Sequence, residues 1–100
     1  MEFAMIDEPQ VLIPFDRREV LTLRKAAERA ARSESTVRSW CQNFHIGRRL
    51  AGGPWMVSKV ALAMFLDGDR RALMAYLAGD RKSEEVLEYF YREKVKVAHE

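Results

Sequence analysis

The sequence predicts a mainly α fold with one small β-hairpin: a winged helix-turn-helix followed by C-terminal helices. Three observations carry this. Two short amphipathic segments, each opened by a capping hydroxyl, are separated by only about three residues, Ala31 to Ser33. A Gly-Gly pair between two β-prone runs follows them directly. Further apolar helical segments, opened by Ser or Asp, then fill the rest of the 100 residues.

The chain divides into three stretches. Residues 1–20 read as an N-terminal arm with Pro9, Pro14 and a β-prone piece at Val11–Leu12–Ile13, which either adds a strand or stays unpaired. Phe3, Met5, Ile6 and Phe15 are too apolar for a solvated tail, so part of the arm is expected to pack on the domain or on a neighbouring copy. Residues 21–66 hold the winged helix-turn-helix, and residues 67–100 form a C-terminal helical extension.

The first helix starts after Thr22, a good N-cap, with Leu23, Ala26, Ala27 and Ala30 at helical spacing. The small alanines allow close approach of a second helix. That helix starts after Ser33, with Glu34 in the first turn where the helix dipole favours an acid. Val37, Trp40, Cys41 and Phe44 form its apolar stripe.

The wing spans Gly47 to Val57. Gly52 and Gly53 both tolerate positive φ and mark its turn, while Pro54 restricts its strand to an edge or a strand start. Ser58 caps a third helix, Lys59–Leu66, apolar nearly all round and closed by Asp67-Gly68. A fourth runs from Arg70 to Ala78, capped by Asp69 and stopped at Gly79. A fifth follows Ser83, with Glu84 and Glu85 in its first turn and a stripe at Val86, Leu87, Phe90 and Tyr91 that reaches Lys94 and Val95. This stripe serves either the core or another protein.

Net charge is only +2, but it is unevenly placed. Residues 1–15 hold three acids and no Lys or Arg, whereas residues 16–59 hold ten Lys/Arg against four Asp/Glu. A basic excess in the middle of the chain is the footprint of a polyanion-binding surface. There is no apolar run of about 18 residues, the length a membrane span needs. The acidic N-terminus is unlike a secretory signal, and Cys41 is the sole cysteine, so a cytoplasmic setting is expected. No Ser/His/Asp set, phosphate-cradling Gly-rich loop or paired carboxylate motif stands out. Neither enzymatic activity nor a cofactor is therefore expected. Cys41 and His45 stand at i,i+4, but a structural zinc site needs about four ligands, and only His99 remains as a typical soft partner. No metal is expected, and Cys41 reads as a small buried hydrophobe.

The second helix carries the functional reading. A B-DNA major groove admits one α-helix whose polar face meets base edges while its other face is anchored. Ser35, Thr36, Arg38, Ser39 and Gln42 make up the polar face. Arg38 suits guanine and Gln42 suits adenine. An ordinary surface helix would carry Glu and Lys in i,i+4 pairs, whereas this one has a single acid, Glu34. Arg48, Arg49, Gly52 and Gly53 give a basic wing with a small tip, suited to the DNA backbone or the minor groove. Trp40 and Trp55 are expected in the core rather than stacked on a ligand.

Taken in order, Leu21-Thr22, Ala26-Ala27, Ser33-x-x-Thr36-Val37-Arg38-x-Trp40 and an Arg-x-x-Gly-Gly-x-Trp hairpin resemble the winged helix-turn-helix of the MerR superfamily. The nearest branch is the excisionases, or recombination directionality factors, including the RdfS-type factors of integrative and conjugative elements. The resemblance covers Leu21–Leu66. It implies major-groove contacts from Thr36, Arg38 and their neighbours, and a wing from Arg49 through Trp55. Thr22, Arg24, Lys25 and Arg32 are the expected phosphate contacts. The chain departs from the pattern at three places: Ala31-Arg32 replaces Gly-Val in the turn, Lys25 replaces the acid of a capping box, and Met56 replaces an Arg after the wing Trp.

The resemblance implies an architectural protein that binds double-stranded DNA, associates head to tail, and promotes excision of a mobile element by a tyrosine recombinase (integrase). A small MerR-like transcription regulator is the alternative, although residues 67–100 are short for a dimerising helix plus an effector domain. A protein-interaction module without a DNA role is the third reading.

Overall fold

The computed structural model describes residues 8–97, and the expectations for Phe3, Met5, Ile6 and His99 fall outside them. Among the described residues the order is β1 (Val20–Leu21), α1 (Leu23–Ala30), α2 (Glu34–Phe44), β2 (Gly47–Arg48), β3 (Met56–Ser58), α3 (Lys59–Asp67), α4 (Arg70–Leu77) and α5 (Glu84–Arg92). The fold is mainly helical with one small antiparallel sheet, compatible with a winged helix-turn-helix and added helices.

Local hydrogen bonding fixes the helix starts. Thr22, Ser33, Ser58 and Asp69 each accept, through a side-chain oxygen, from the backbone N–H of the third residue in the helix that follows. Caps of this kind contribute about 1 kcal/mol each. α1 ends on Ala31, which adopts the left-handed conformation with φ 57°. Arg32 N then donates to Ala27 O at 3.0 Å, closing the helix end. The tight turn therefore keeps the geometry that glycine would favour, at the cost of a Cβ in a crowded region. Ala31→Gly is expected to raise stability by about 0.5–1 kcal/mol, the steric relief exceeding glycine's entropy cost. Urea denaturation checks this.

The sheet holds one strand more than the predicted hairpin. β3 is central, with β1 and β2 antiparallel on either side. Leu21 and Gly47 both lie opposite Val57. The third strand comes from Val20–Leu21, not from Val11–Ile13, which forms a turn with Val11 and Leu12 buried. Pro54 precedes β3 rather than entering it, so the central strand keeps its donors.

The wing turn also sits one residue earlier than the Gly-Gly pair suggests. Its positive-φ residues are Ala51 (45°) and Gly52 (79°), and Gly53 N donates back to Leu50 O at 2.8 Å. Gly47 has a steric role instead. A Cβ there would lie 2.5 Å from Met56 O and 2.8 Å from Cys41 Sγ, with both the sheet backbone and α2 in the way. Gly47→Ala is thus expected to cost about 1–3 kcal/mol or more by overpacking. Gly52→Val meets no neighbour within 4 Å and is strained only by its φ, at about 1–2 kcal/mol. Thermal unfolding of the two variants ranks them, and a Gly47→Ala protein as stable as the parent would contradict the close packing.

One hydrophobic core runs through every layer. Ala26 and Ala27 of α1, Val37 and Cys41 of α2, Val57 of β3, Leu62 and Met64 of α3, Leu73 and Leu77 of α4, and Val86 and Phe90 of α5 belong to a single cluster. The C-terminal extension therefore completes the core. Its buried face differs from the predicted stripe: Val86, Tyr89 and Phe90 face inward, whereas Tyr91 is 73% exposed. The Tyr89 hydroxyl explains the rotation, since it lies 2.9 Å from an Asp67 oxygen and 3.0 Å from one of Asp69. α5 stops at Arg92, before the predicted Lys94 and Val95. Lys94 turns left-handed, and Val95 N returns to Phe90 O at 2.9 Å while its side chain stays buried.

The arm is held by polar contacts invisible in the local sequence. Glu19 is buried just before β1, and the Ser58 hydroxyl donates to its carboxylate at 2.5 Å. The Tyr76 hydroxyl donates to the same carboxylate oxygen. Tyr76 also accepts from Leu12 N at 2.8 Å. Arg81 lies over the Tyr76 ring at 4.0 Å and donates to the carbonyls of Gln10 at 2.6 Å and Ile13 at 2.8 Å. Arm, sheet, α3 and α4 thus converge on one buried polar network.

Candidate nucleic-acid interface

α2 is anchored as its apolar spacing requires. Val37 and Cys41 are fully buried beneath it. Trp40 and Phe44 are half-buried, with ring centroids 4.8 Å and 5.0 Å from Phe65 of α3. Burial pushes the Cys41 thiol up to about 11, so it packs as a neutral hydrophobe. No group of three or more His, Cys, Asp or Glu that could hold a metal ion gathers among the described residues.

The opposite face of α2 is open. Ser35, Arg38, Ser39 and Gln42 are exposed, while Thr36 is half-buried. Thr36 takes part in the cap: its N donates to Ser33 Oγ at 3.1 Å, and its hydroxyl oxygen accepts from the Ser33 hydroxyl at 3.0 Å. Ser39 accepts from Asn43 Nδ2 at 3.1 Å. Asn43, one turn beyond Ser39 and exposed, extends this polar face. Sequence reasoning passed over it, although its i,i+4 relation to Ser39 was visible.

The wing and the start of α1 bring more of the predicted residues to α2. Thr22, Arg24, Arg38, Arg49 and Gly53, together with Glu34 and Trp55, line one concave groove of about 600 Å³. Three arginines face a single acid there, so the groove is electropositive. Arg24 is 80% exposed and only loosely paired with Glu28 at 3.7 Å. Lys25 and Arg32 are exposed but lie outside this groove, and Arg32 Nη1 donates to Ala31 O at 3.1 Å. Gly52 is exposed at the wing tip.

The two wing arginines part company. Arg48, paired with Met56 in the ladder, is half-buried and donates to Val11 O at 3.3 Å. Arg49 is exposed, its guanidinium 5.2 Å from the centroid of the Trp55 ring. Arg48 thus fastens the wing to the arm, and Arg49 is the cation that the wing presents. Arg48 ends β2 and Arg49 is the first residue beyond it, a boundary that the sequence does not mark.

Trp40 and Trp55 both pack, partly buried, against the core cluster. No described helix is long and apolar enough to cross a membrane. No protein-family model, curated protein or solved structure matches the chain.

Proposed function

We propose that this chain binds double-stranded DNA without catalysing a reaction and without a cofactor, placing α2 in the major groove and the wing on the backbone. The observation that carries the reading is the junction of an exposed, almost acid-free α2 face with a groove lined by Arg24, Arg38 and Arg49. Arg38, Ser35 and Ser39, with Thr36 and Gln42 beside them, read bases. Arg49, Arg24, Lys25, Arg32 and the α1 start at Thr22 meet phosphates, where free helix N–H groups favour anions.

Within that reading, the chain serves as an excisionase-type accessory protein in the cytoplasm, associated with the nucleoid. Several copies bind adjacent sites head to tail, bend the DNA, and favour excision by a tyrosine recombinase. The motif likeness to excisionases supports this role. Footprinting on an attachment region, followed by an excision assay with integrase, tests it. Direct repeats and enhanced excision are expected. An inverted repeat over a promoter would indicate the small transcription regulator instead, and unchanged excision with intact DNA binding would remove the recombination role. Absence of any salt-sensitive DNA binding would indicate a protein-interaction module, for which Tyr91 and Phe15 supply exposed aromatic surface.

A further inference from the structure

We infer that Trp55 positions Arg49 for the DNA backbone, so that the wing presents an oriented cation rather than a freely moving one. This rests on the DNA-binding reading above. The ladder ends with Arg48 opposite Met56, and Arg49 and Trp55 are the next residues along the two limbs of the hairpin. The Arg49 guanidinium lies over the indole, 5.2 Å from its centroid. The two residues differ in freedom. Trp55 is half-buried and packed on the core, whereas Arg49 is exposed. A fixed ring therefore offers a seat to a mobile side chain.

The wing turn maintains the pairing. Ala51 and Gly52 at positive φ, with the 2.8 Å bond from Gly53 N to Leu50 O, hold the two limbs close. Arg49 and Trp55 line the groove that also contains Arg24 and Arg38. The Trp55 indole N–H is shielded and has no acceptor, so the ring acts through its face and not through a hydrogen bond. An arginine loses substantial rotamer freedom on docking to a phosphate, and a planar guanidinium already stacked has less to lose. Lysine replaces it only in part, because an ammonium keeps the charge over the ring but lacks the planar face and the fork of donors.

Affinity for pooled random-sequence duplex DNA at about 50 mM salt tests this. Trp55→Leu is expected to weaken binding about 2–5-fold, the range of an exposed cation–π contact. The same substitution in an Arg49→Ala background should add no further loss. Trp55→Phe keeps a ring face and sacrifices no hydrogen bond, so it should recover most of the affinity. Arg49→Lys leaves the core untouched, so it reports even if Trp55→Leu unfolds the wing, and a measurable loss is expected there too. Equal losses from Trp55→Leu in both backgrounds would mean that Trp55 only supports the fold, and would overturn the inference. Wild-type affinity in Arg49→Lys would overturn it as well. Those results leave DNA binding itself standing, whereas failure of the parent chain to bind DNA removes the reading beneath both.

Discussion

Tyr76→Phe is expected to lower the free energy of unfolding by about 3 kcal/mol, although it removes one oxygen atom and little volume. The hydroxyl serves two partners at once. It donates to the buried Glu19 carboxylate and accepts from Leu12 N at 2.8 Å. Its removal leaves a buried carboxylate short of a donor and a buried backbone N–H without an acceptor. Bonds to charged groups contribute about 1.5–3 kcal/mol, and an orphaned buried donor costs about 1–3 kcal/mol. Urea denaturation measures the sum, and a loss below about 0.5 kcal/mol would show that the network adds little to stability.

The same network has a pH signature. Burial raises the Glu19 carboxyl above its ordinary value, partly opposed by the Ser58 and Tyr76 hydroxyls and by the charge of Arg81. Only between the ordinary and the raised value does the folded state hold a proton that the unfolded state has released. Glu19's contribution to stability is therefore fully present below the ordinary carboxylate range and falls as pH rises through the raised value. Glu19→Gln, which cannot titrate, should flatten that part of the pH–stability curve.

What could be read from the sequence follows from how local each feature is. The caps at Thr22, Ser33, Ser58 and Asp69 are bonds over three residues, and all four form where the residue types predict. The tight turn survives Ala31 in place of Gly because one strained residue costs less than the packing of α1 on α2 contributes. β1 was not legible, because two residues carry no periodicity and their partner strand lies far along the chain. The role of Glu19 was not legible for a related reason: Ser58 and Tyr76 come to it only through tertiary folding. The candidate site was legible at Arg38, Ser35 and Ser39, whose exposure follows from the helical stripe beneath them. It was blurred at Arg48, which reads as basic wing and also donates to Val11 O. It was blurred again at Tyr91, where the bond network of Tyr89 sets the rotation of α5.

The second large effect concerns recognition. Arg38→Ala is expected to weaken binding to the preferred site by about 1–3 kcal/mol and to flatten discrimination among sequences, because a base contact carries sequence information. Arg49→Ala is expected to weaken binding to all sequences alike and to reduce the salt slope by about one, because a phosphate contact releases one counterion. Arg48→Ala should leave the salt slope nearly unchanged, since that side chain is engaged with the arm. Equal, sequence-independent losses from Arg38→Ala and Arg49→Ala would contradict the division of roles.

In the proposed function, the open face of α2 and the arginine-lined groove form one DNA-binding surface. A salt titration of duplex binding, run on the parent chain and on the double variant Arg38→Ala/Arg49→Ala, tests it most directly. The account predicts affinity for the parent that falls steeply with salt, and a large loss with a shallower slope for the double variant while its fold is intact. Identical titrations for a folded double variant and its parent, or no binding by the parent at about 50 mM salt, would contradict it.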